Sequence, residues 1–229
     1  MSELKHVVHD IQRVPGELVQ AVSRIPTATL HEAYGQKGAF YADIRPVRLG
    51  MKLCGPVVAV KCSPGDNIIV HKAIYVARPG DILLVDTGGY IEGGFWGGIM
   101  TEAAIQQKIA GLVTDGSVRD TDEIAEMGFP VFSRGISIKG TSKDSLGTIN
   151  HAIVFSGTRV NPGDLICADS DGVVVIERQD VADVLDKARQ REDKERRGVQ
   201  EIRNGRTTLE IYGFSDRLKQ LGLKEEAAS

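Results

Sequence analysis

Three cysteines, one tryptophan and 5% aromatic residues are all that this 229-residue chain carries of those types. Cys54, Cys62 and Cys167 are odd in number and far apart, which argues against a disulfide framework and against a cysteine-built zinc site. Cys54 and Cys167 stand in apolar stretches (KLCGPVVAV and DLICADSDG) and read as small buried hydrophobes. No paired histidine lies nearby in sequence to make any of the three a nucleophile. Spanning a bilayer takes roughly 20 apolar residues in a row, and no uncharged run here approaches that. The opening MSELKHVVHDIQRV is polar and lacks the apolar segment of a secretory signal, so a cytoplasmic protein is expected. A net charge of −3 and a pI near 6.0 offer no basic footprint for nucleic acid.

What the chain does have is 41% hydrophobic content, sufficient at this length for a sizeable core. Short β-branched runs fill its middle: GPVVAVKC, DILLVDTG, IAGLVTDG, FPVFSRG and GVVVIE. Several are apolar on consecutive residues, the pattern of strands buried on both faces. Pro-Gly-Asp recurs at 64–66, 79–81 and 162–164, a turn suited to starting a strand. Helices are expected at 27–35 with Thr27 as N-cap, at 99–110 ended by Gly111, and at 121–127. In the last of these Thr121 is the cap, Asp122 and Glu123 suit the first turn, and Gly128 is the stop. The strand before it is expected to end at Thr114. A longer helix runs from Gln179 to about Arg197, with an apolar stripe of Val181, Val184, Leu185 and Ala188. Residues 1–20 read as an amphipathic lead-in, and the tail KEEAAS as frayed. The sum is an α/β fold around a mixed sheet, with a main domain over 1–178 and a C-terminal helical extension over 179–229.

Three stretches carry candidate chemistry. TGGYIEGGFWGG, Thr87 to Gly98, runs straight into the helix from about Ile99. Its glycines let backbone N–H groups face an anion, and the helix N-terminus adds positive dipole; a flexible surface loop is the plainer reading, and Trp96 is either a ligand wall or a packing anchor. No nucleotide-binding glycine motif is present. In GLVTDGSVRD, Arg119 and Asp120 fall between a strand and a helix, where α/β folds place ligand groups. Arg supplies a fork for a carboxylate and Asp an oxygen for a hard cation; the plain alternative is a capping Asp beside a surface Arg. Asn67 and His71 are four residues apart and share one helical face. Glu32 is a candidate base, or simply a solvent-facing helix residue.

Together PGDNIIVHKAI, RPGDILLVDTGG, the FWG stretch, GLVTDGSVRD, FPVF, NPGDLICADSDGVVVI and TLEIYGFSDRLKQLGL resemble the class II pyruvate aldolases typified by 4-hydroxy-4-methyl-2-oxoglutarate / 4-carboxy-4-hydroxy-2-oxoadipate aldolase. The regulators of ribonuclease E activity are related to these. The likeness runs from about residue 10 to residue 223. It implies a mixed-sheet sandwich of the swivelling phosphohistidine-domain type, assembled as a trimer or hexamer, with the C-terminal extension packed on a neighbouring subunit. It implies Mg²⁺ or Mn²⁺, held by Asp120 and by Glu195 (Glu192 next) of a neighbouring copy. Arg119 would bind pyruvate's carboxylate and enolate oxygen, and Gly97, Gly98, Ile99 and Met100 would offer backbone amides to the substrate. The implied reaction is retro-aldol cleavage of a 4-hydroxy-2-oxo acid to pyruvate, with oxaloacetate decarboxylation from the same enolate. Candidates for reading a distal carboxylate are Arg134, Lys139 and His71.

One position departs from the pattern. The family has an acid twenty-one residues before the Arg, where this chain has Gly98. Asp86, Glu92 and Asp115 are the candidates to replace it. The departure keeps two alternatives in view: a fold redirected to another small carboxylate, and a non-catalytic ribonuclease-binding regulator.

Overall fold

A computed structural model describes residues 5–225. Its strands are β1 (Arg45–Pro46), β2 (Leu53–Lys61), β3 (Ile82–Asp86), β4 (Gly94–Trp96), β5 (Gly111–Val118), β6 (Val131–Ile136), β7 (Thr148–Ile149), β8 (Ile153–Phe155), β9 (Thr158–Val160), β10 (Leu165–Asp169) and β11 (Gly172–Ile176). Its α-helices are α1 (Gly16–Val22), α2 (Thr27–Ala33), α3 (Ile68–Ile74), α4 (Gly98–Gln106), α5 (Thr121–Glu126), α6 (Val181–Arg203), α7 (Thr208–Ile211) and α8 (Phe214–Gln220). Among the described residues nine strands form one mixed sheet in the order β1-β6-β5-β3-β2-β10-β11, with β4 beside β5 and β7 beside β2. Strands β8 and β9 make a separate hairpin. The centre, β6-β5-β3-β2, is parallel, and the flanking pairs are antiparallel.

The consecutive apolar residues of the central strands follow from burial on both faces. Val58, Val60, Leu83, Val85 and Leu112 point into one core with α3, α4 and Ile124 of α5. Their neighbours Val57, Ala59, Ile82, Leu84 and Val113 point into the opposite core with Phe132 and Phe155. The twofold alternation of a strand sends successive side chains to opposite faces, so both must be apolar. A third core joins α1, α2 and the first turns of α6, where Val181, Val184, Leu185 and Ala188 meet Leu30 and Val174. Further along, Leu209, Tyr212, Phe214 and Leu221 are exposed. No helix among the described residues is long and apolar enough to cross a membrane.

Several boundaries differ from the sequence reading. Thr27 is the first residue of α2 rather than its cap, and its N–H and hydroxyl both donate to Asp169. Helix α4 stops at Gln106, and Lys108 turns the chain at φ 57°. Gly111 instead begins β5, where a β-carbon would lie 2.8 Å from the Pro130 carbonyl oxygen. Strand β5 does not end at Thr114 but continues, past a register shift, to Val118. The first Pro-Gly-Asp turn opens a helix, α3, and not a strand; its Asp66 accepts the N–H two residues ahead. In the other two turns Asp81 and Asp164 accept the N–H three residues behind, and strands β3 and β10 follow. The outermost parts of the lead-in and the frayed tail, residues 1–4 and 226–229, lie outside the described residues.

Candidate active site

Strands β4 and β5 run parallel and end side by side, with Trp96 opposite Val118 and the Arg119 N–H donating to the Trp96 carbonyl at 2.9 Å. Each strand then feeds a helix: β4 enters α4 through Gly97, and β5 enters α5 through Asp120. Ligand groups in open parallel sheets collect at such carboxyl ends. The result is a cavity of about 250 Å³ lined by Asn67, His71, Gly97, Ile99, Met100, Arg119 and Asp120, together with Lys143.

Asp120 is the N-cap of α5 and sits in the left-handed region at φ 57°. A non-glycine residue there is uncommon, and Asp is among the few that tolerate it. The turn brings its Oδ2 to the Gly98 N–H at 3.0 Å and within 3.6 Å of Arg119 Nε. Gly97 makes this approach possible. Its φ of −161° suits any residue, but a β-carbon there would lie 2.5 Å from Asp120 Oδ2 and 3.2 Å from Arg119 Cγ. Next along α4, the N–H groups of Ile99 and Met100 have no partner among the described residues. They are first-turn donors of a nine-residue helix, aimed where an anion is favoured.

The glycine-rich loop is stapled rather than flexible. Asp115 accepts from Thr87 N–H, Thr87 Oγ1 and Gly89 N–H, while Asp86 accepts from Gly88 N–H and pairs with Lys61. Burial raises the Asp115 carboxyl above its ordinary value despite those bonds. Trp96 lines the cavity and is also a packing anchor: it is 1% exposed, stacks on Phe129 and donates to Thr101 Oγ1. The cavity's other wall is the 140–143 segment, held down by buried Asp66. Asp66 accepts Ser142 Oγ and the Asp144 and Ser145 N–H groups. Burial pushes this carboxyl up, but those donors and Ile68 N–H outweigh it and hold it below the ordinary range. His71 is pushed down, first by burial and then by Lys143, both of which favour its neutral form. Asn67 donates to the Phe95 carbonyl through Nδ2, and its buried Oδ1 has no partner.

Several expected residues stand elsewhere. Glu32 and Glu195 do not line the cavity of their own chain; both lie against Arg191, at 3.8 and 2.9 Å. Glu192 lines a different surface pocket with Arg24 and Arg189. Asp86, Asp115 and Glu92 are taken up by Lys61, Thr87 and Lys139 and do not replace an acid at position 98. Arg134 and Lys139 pair with Asp43 and Glu92, so of the distal-carboxylate candidates only His71 faces the cavity. Lys143, which the sequence reading passed over, faces it too. Among the described residues no three His, Cys, Asp or Glu side chains gather as a ready metal cage.

Fold and site define an α/β protein whose strand ends carry an arginine–aspartate pair against a helix N-terminus. The chain belongs to the RraA-like family, whose Aldolase/RraA model matches residues 27–175. It is 36% identical over 168 residues to a protein of Halalkalibacterium halodurans named "Putative 4-hydroxy-4-methyl-2-oxoglutarate aldolase", covering 73% of this chain and 80% of that one. An uncharacterised Pseudomonas syringae pv. tomato protein superposes with a TM-score of 0.77 at 28% identity, over 88% of this chain and all of the other. A Streptomyces coelicolor protein, described as an unusual member of the RNase ES inhibitor RraA protein family, superposes with a TM-score of 0.74 at 26% identity, over 82% and 98%.

Proposed function

We propose that this chain is a divalent-metal-dependent carbon–carbon lyase that releases pyruvate from a 4-hydroxy-2-oxo di- or tricarboxylic acid and also decarboxylates oxaloacetate. The observation that carries the reading is the convergence of the Arg119 guanidinium, the Asp120 carboxylate and the unpaired Ile99 and Met100 N–H groups on one cavity. Retro-aldol cleavage removes the proton of the 4-hydroxyl, breaks the C3–C4 bond and moves its electron pair onto the C2 oxygen. The enolate so formed is then protonated at C3 to give pyruvate. Loss of CO₂ from oxaloacetate delivers the same enolate.

The carboxylate-binding and charge-stabilising demands of that sequence have groups to meet them. The first-turn N–H groups of α4 suit the substrate's C1 carboxylate. Arg119 offers a planar fork to the same carboxylate and to the C2 oxygen, where charge develops. His71 and Lys143 line the same cavity and are the groups available to a distal carboxylate. Mg²⁺ or Mn²⁺ fits the donor set: Asp120 is a hard oxygen donor facing the cavity, and such ions need only one or two protein carboxylates because they keep their waters. When bound, the ion supplies Lewis-acid polarisation of the 2-oxo group. Glu195 and Glu32, outside the cavity of their own chain, take part only from a neighbouring copy in a trimer or hexamer. The exposed apolar residues Leu209, Tyr212, Phe214 and Leu221 on α7 and α8 and in their flanking turns support such an assembly.

The test is a lactate-dehydrogenase-coupled assay for pyruvate, run on 4-hydroxy-4-methyl-2-oxoglutarate and on oxaloacetate with Mg²⁺, Mn²⁺ or EDTA. Release above background with metal and none with EDTA supports the reading; no pyruvate under any metal condition ends it. The likeness to the Streptomyces RNase ES inhibitor relative favours a second reading, a ribonuclease-binding regulator. That reading expects stoichiometric capture of a ribonuclease, unaffected by Asp120→Ala.

A further inference from the structure

We infer that Glu123, reaching across from α5, supplies the carboxylate that Gly98 lacks, so that Asp120 and Glu123 together form a cation-facing acid pair beside this cavity, which Asp120 lines and Glu123 borders through Gly98. The inference rests on the metal-dependent reading above. An ideal β-carbon built on Gly98 would lie 2.3 Å from Glu123 Oε2, 2.6 Å from its Cδ and 2.8 Å from its Oε1. The whole carboxylate therefore occupies the space a side chain at 98 would need. Gly98 is not among the positive-φ glycines, so backbone freedom does not require it; what fills its side-chain position is the far end of the exposed Glu123 side chain. The two acids meet around this one residue: Asp120 takes its N–H, and Glu123 fills its side-chain position.

The ordinary role of an acid at this place in a helix does not account for Glu123. It is the third residue of α5, where a Glu commonly folds back to the N-cap N–H in a capping box. This same chain builds that box at α7, with Thr207 and Glu210. At α5 the left-handed Asp120 cap makes no such bond. Glu123 has no hydrogen-bonded or ion-paired side-chain partner among the described residues; it is turned instead to Gly98. Arg119 Nε lies 3.6 Å from Asp120 Oδ2, but no cation among the described residues pairs with Glu123, so the two acids carry one negative charge more than the protein offsets, which suits a cation from outside.

An independent observation points the same way. Asn67, 5% exposed, lines the cavity, and its Nδ2 is committed to the Phe95 carbonyl. Its buried Oδ1 is left without a donor. Buried acceptors are almost always satisfied, so one without a partner among the described residues, on a side chain lining the same cavity as Asp120, points to a group from outside the chain. Mg²⁺ and Mn²⁺ suit two carboxylates and several waters without a three-residue cage.

The experiment is a Mn²⁺ titration followed by the EPR signal of free Mn²⁺, with no substrate present. Glu123→Gln, an exposed isosteric change, is expected to weaken binding by about 10- to 100-fold, the usual effect of losing a supporting group around a metal. Gly98→Asp alone is expected to give little gain, because the new carboxylate only takes the place of that of Glu123, which it displaces. Gly98→Asp combined with Glu123→Ala is expected to recover the affinity that Glu123→Ala loses. If Glu123→Gln binds as tightly as wild type while Asp120→Ala has lost binding, the inference is overturned and the lyase reading stands. No recovery in the double variant also overturns it. Absence of Mn²⁺ binding by the wild type overturns both.

Discussion

The Gly98 N–H donates to Asp120 Oδ2 at 3.0 Å, joining the first turn of α4 to the cap of α5. This bond orients Asp120 from the helix that also presents the free Ile99 and Met100 N–H groups. The proposed anion contact and the proposed cation contact are thus set by one rigid junction.

Gly97→Ala is expected to break that junction. The added carbon would lie 2.5 Å from Asp120 Oδ2 and 3.2 Å from Arg119 Cγ, so both side chains must move. A displacement of about 1 Å at a reacting group can cost roughly 100-fold in rate. Steady-state kinetics should show kcat/KM for oxaloacetate reduced by about that factor, with thermal melting little changed because Asp120 is at the surface.

Arg119→Lys keeps the charge and removes the fork. Because the guanidinium is assigned both to the C1 carboxylate and to the oxygen where charge develops, kcat is expected to fall by about 10²- to 10³-fold and KM to rise as well. A rise in KM alone would assign Arg119 to substrate binding and not to the transition state.

Lys143→Met probes the distal end of the substrate. Lys143 lines the cavity, and among the described residues its Nζ reaches only the Thr141 carbonyl, at 3.4 Å. KM for a tricarboxylic 4-hydroxy-2-oxo substrate is expected to rise by about tenfold, or 1.4 kcal/mol, with a smaller change for oxaloacetate. Equal changes for both substrates would remove Lys143 from specificity.

Asp66 makes the cavity wall sensitive to acid. Its carboxyl is held below the ordinary 3.8, so it contributes stability at pH values above 3.8 that is lost as pH falls through the lower folded value. Asp66→Asn should melt at a lower temperature than wild type near neutral pH, and the gap should narrow as the solution is acidified. A gap independent of pH contradicts this account of the 142–145 anchor.

The central strands were legible in the sequence because burial on both faces writes itself as unbroken apolar runs such as Val57–Val60. The Arg119–Asp120 pair was legible by its place between a strand and a helix. The length of β5 was not, because the strand reads as ending at Thr114, with Asp115 and Gly116 opening a turn. In the fold those residues stay in the strand through a register shift, and Asp115 staples the glycine-rich loop. Glu123 was legible only as a first-turn helix acid, since nothing in sequence spacing shows that α5 leans over Gly98 across 25 residues of chain. Lys143 was hidden for a related reason: a buried aspartate in a distant turn, Asp66, pins its segment over the cavity.

The most direct measurement is the rate of pyruvate release from oxaloacetate by wild type and Asp120→Ala, side by side across a Mn²⁺ titration. The expected result is saturable, Mn²⁺-dependent release by the wild type and at least a roughly 100-fold lower rate for Asp120→Ala at every Mn²⁺ concentration. Equal rates for the two proteins, or a wild-type rate indifferent to Mn²⁺ and EDTA, would contradict the assignment of this cavity as a metal-dependent lyase site.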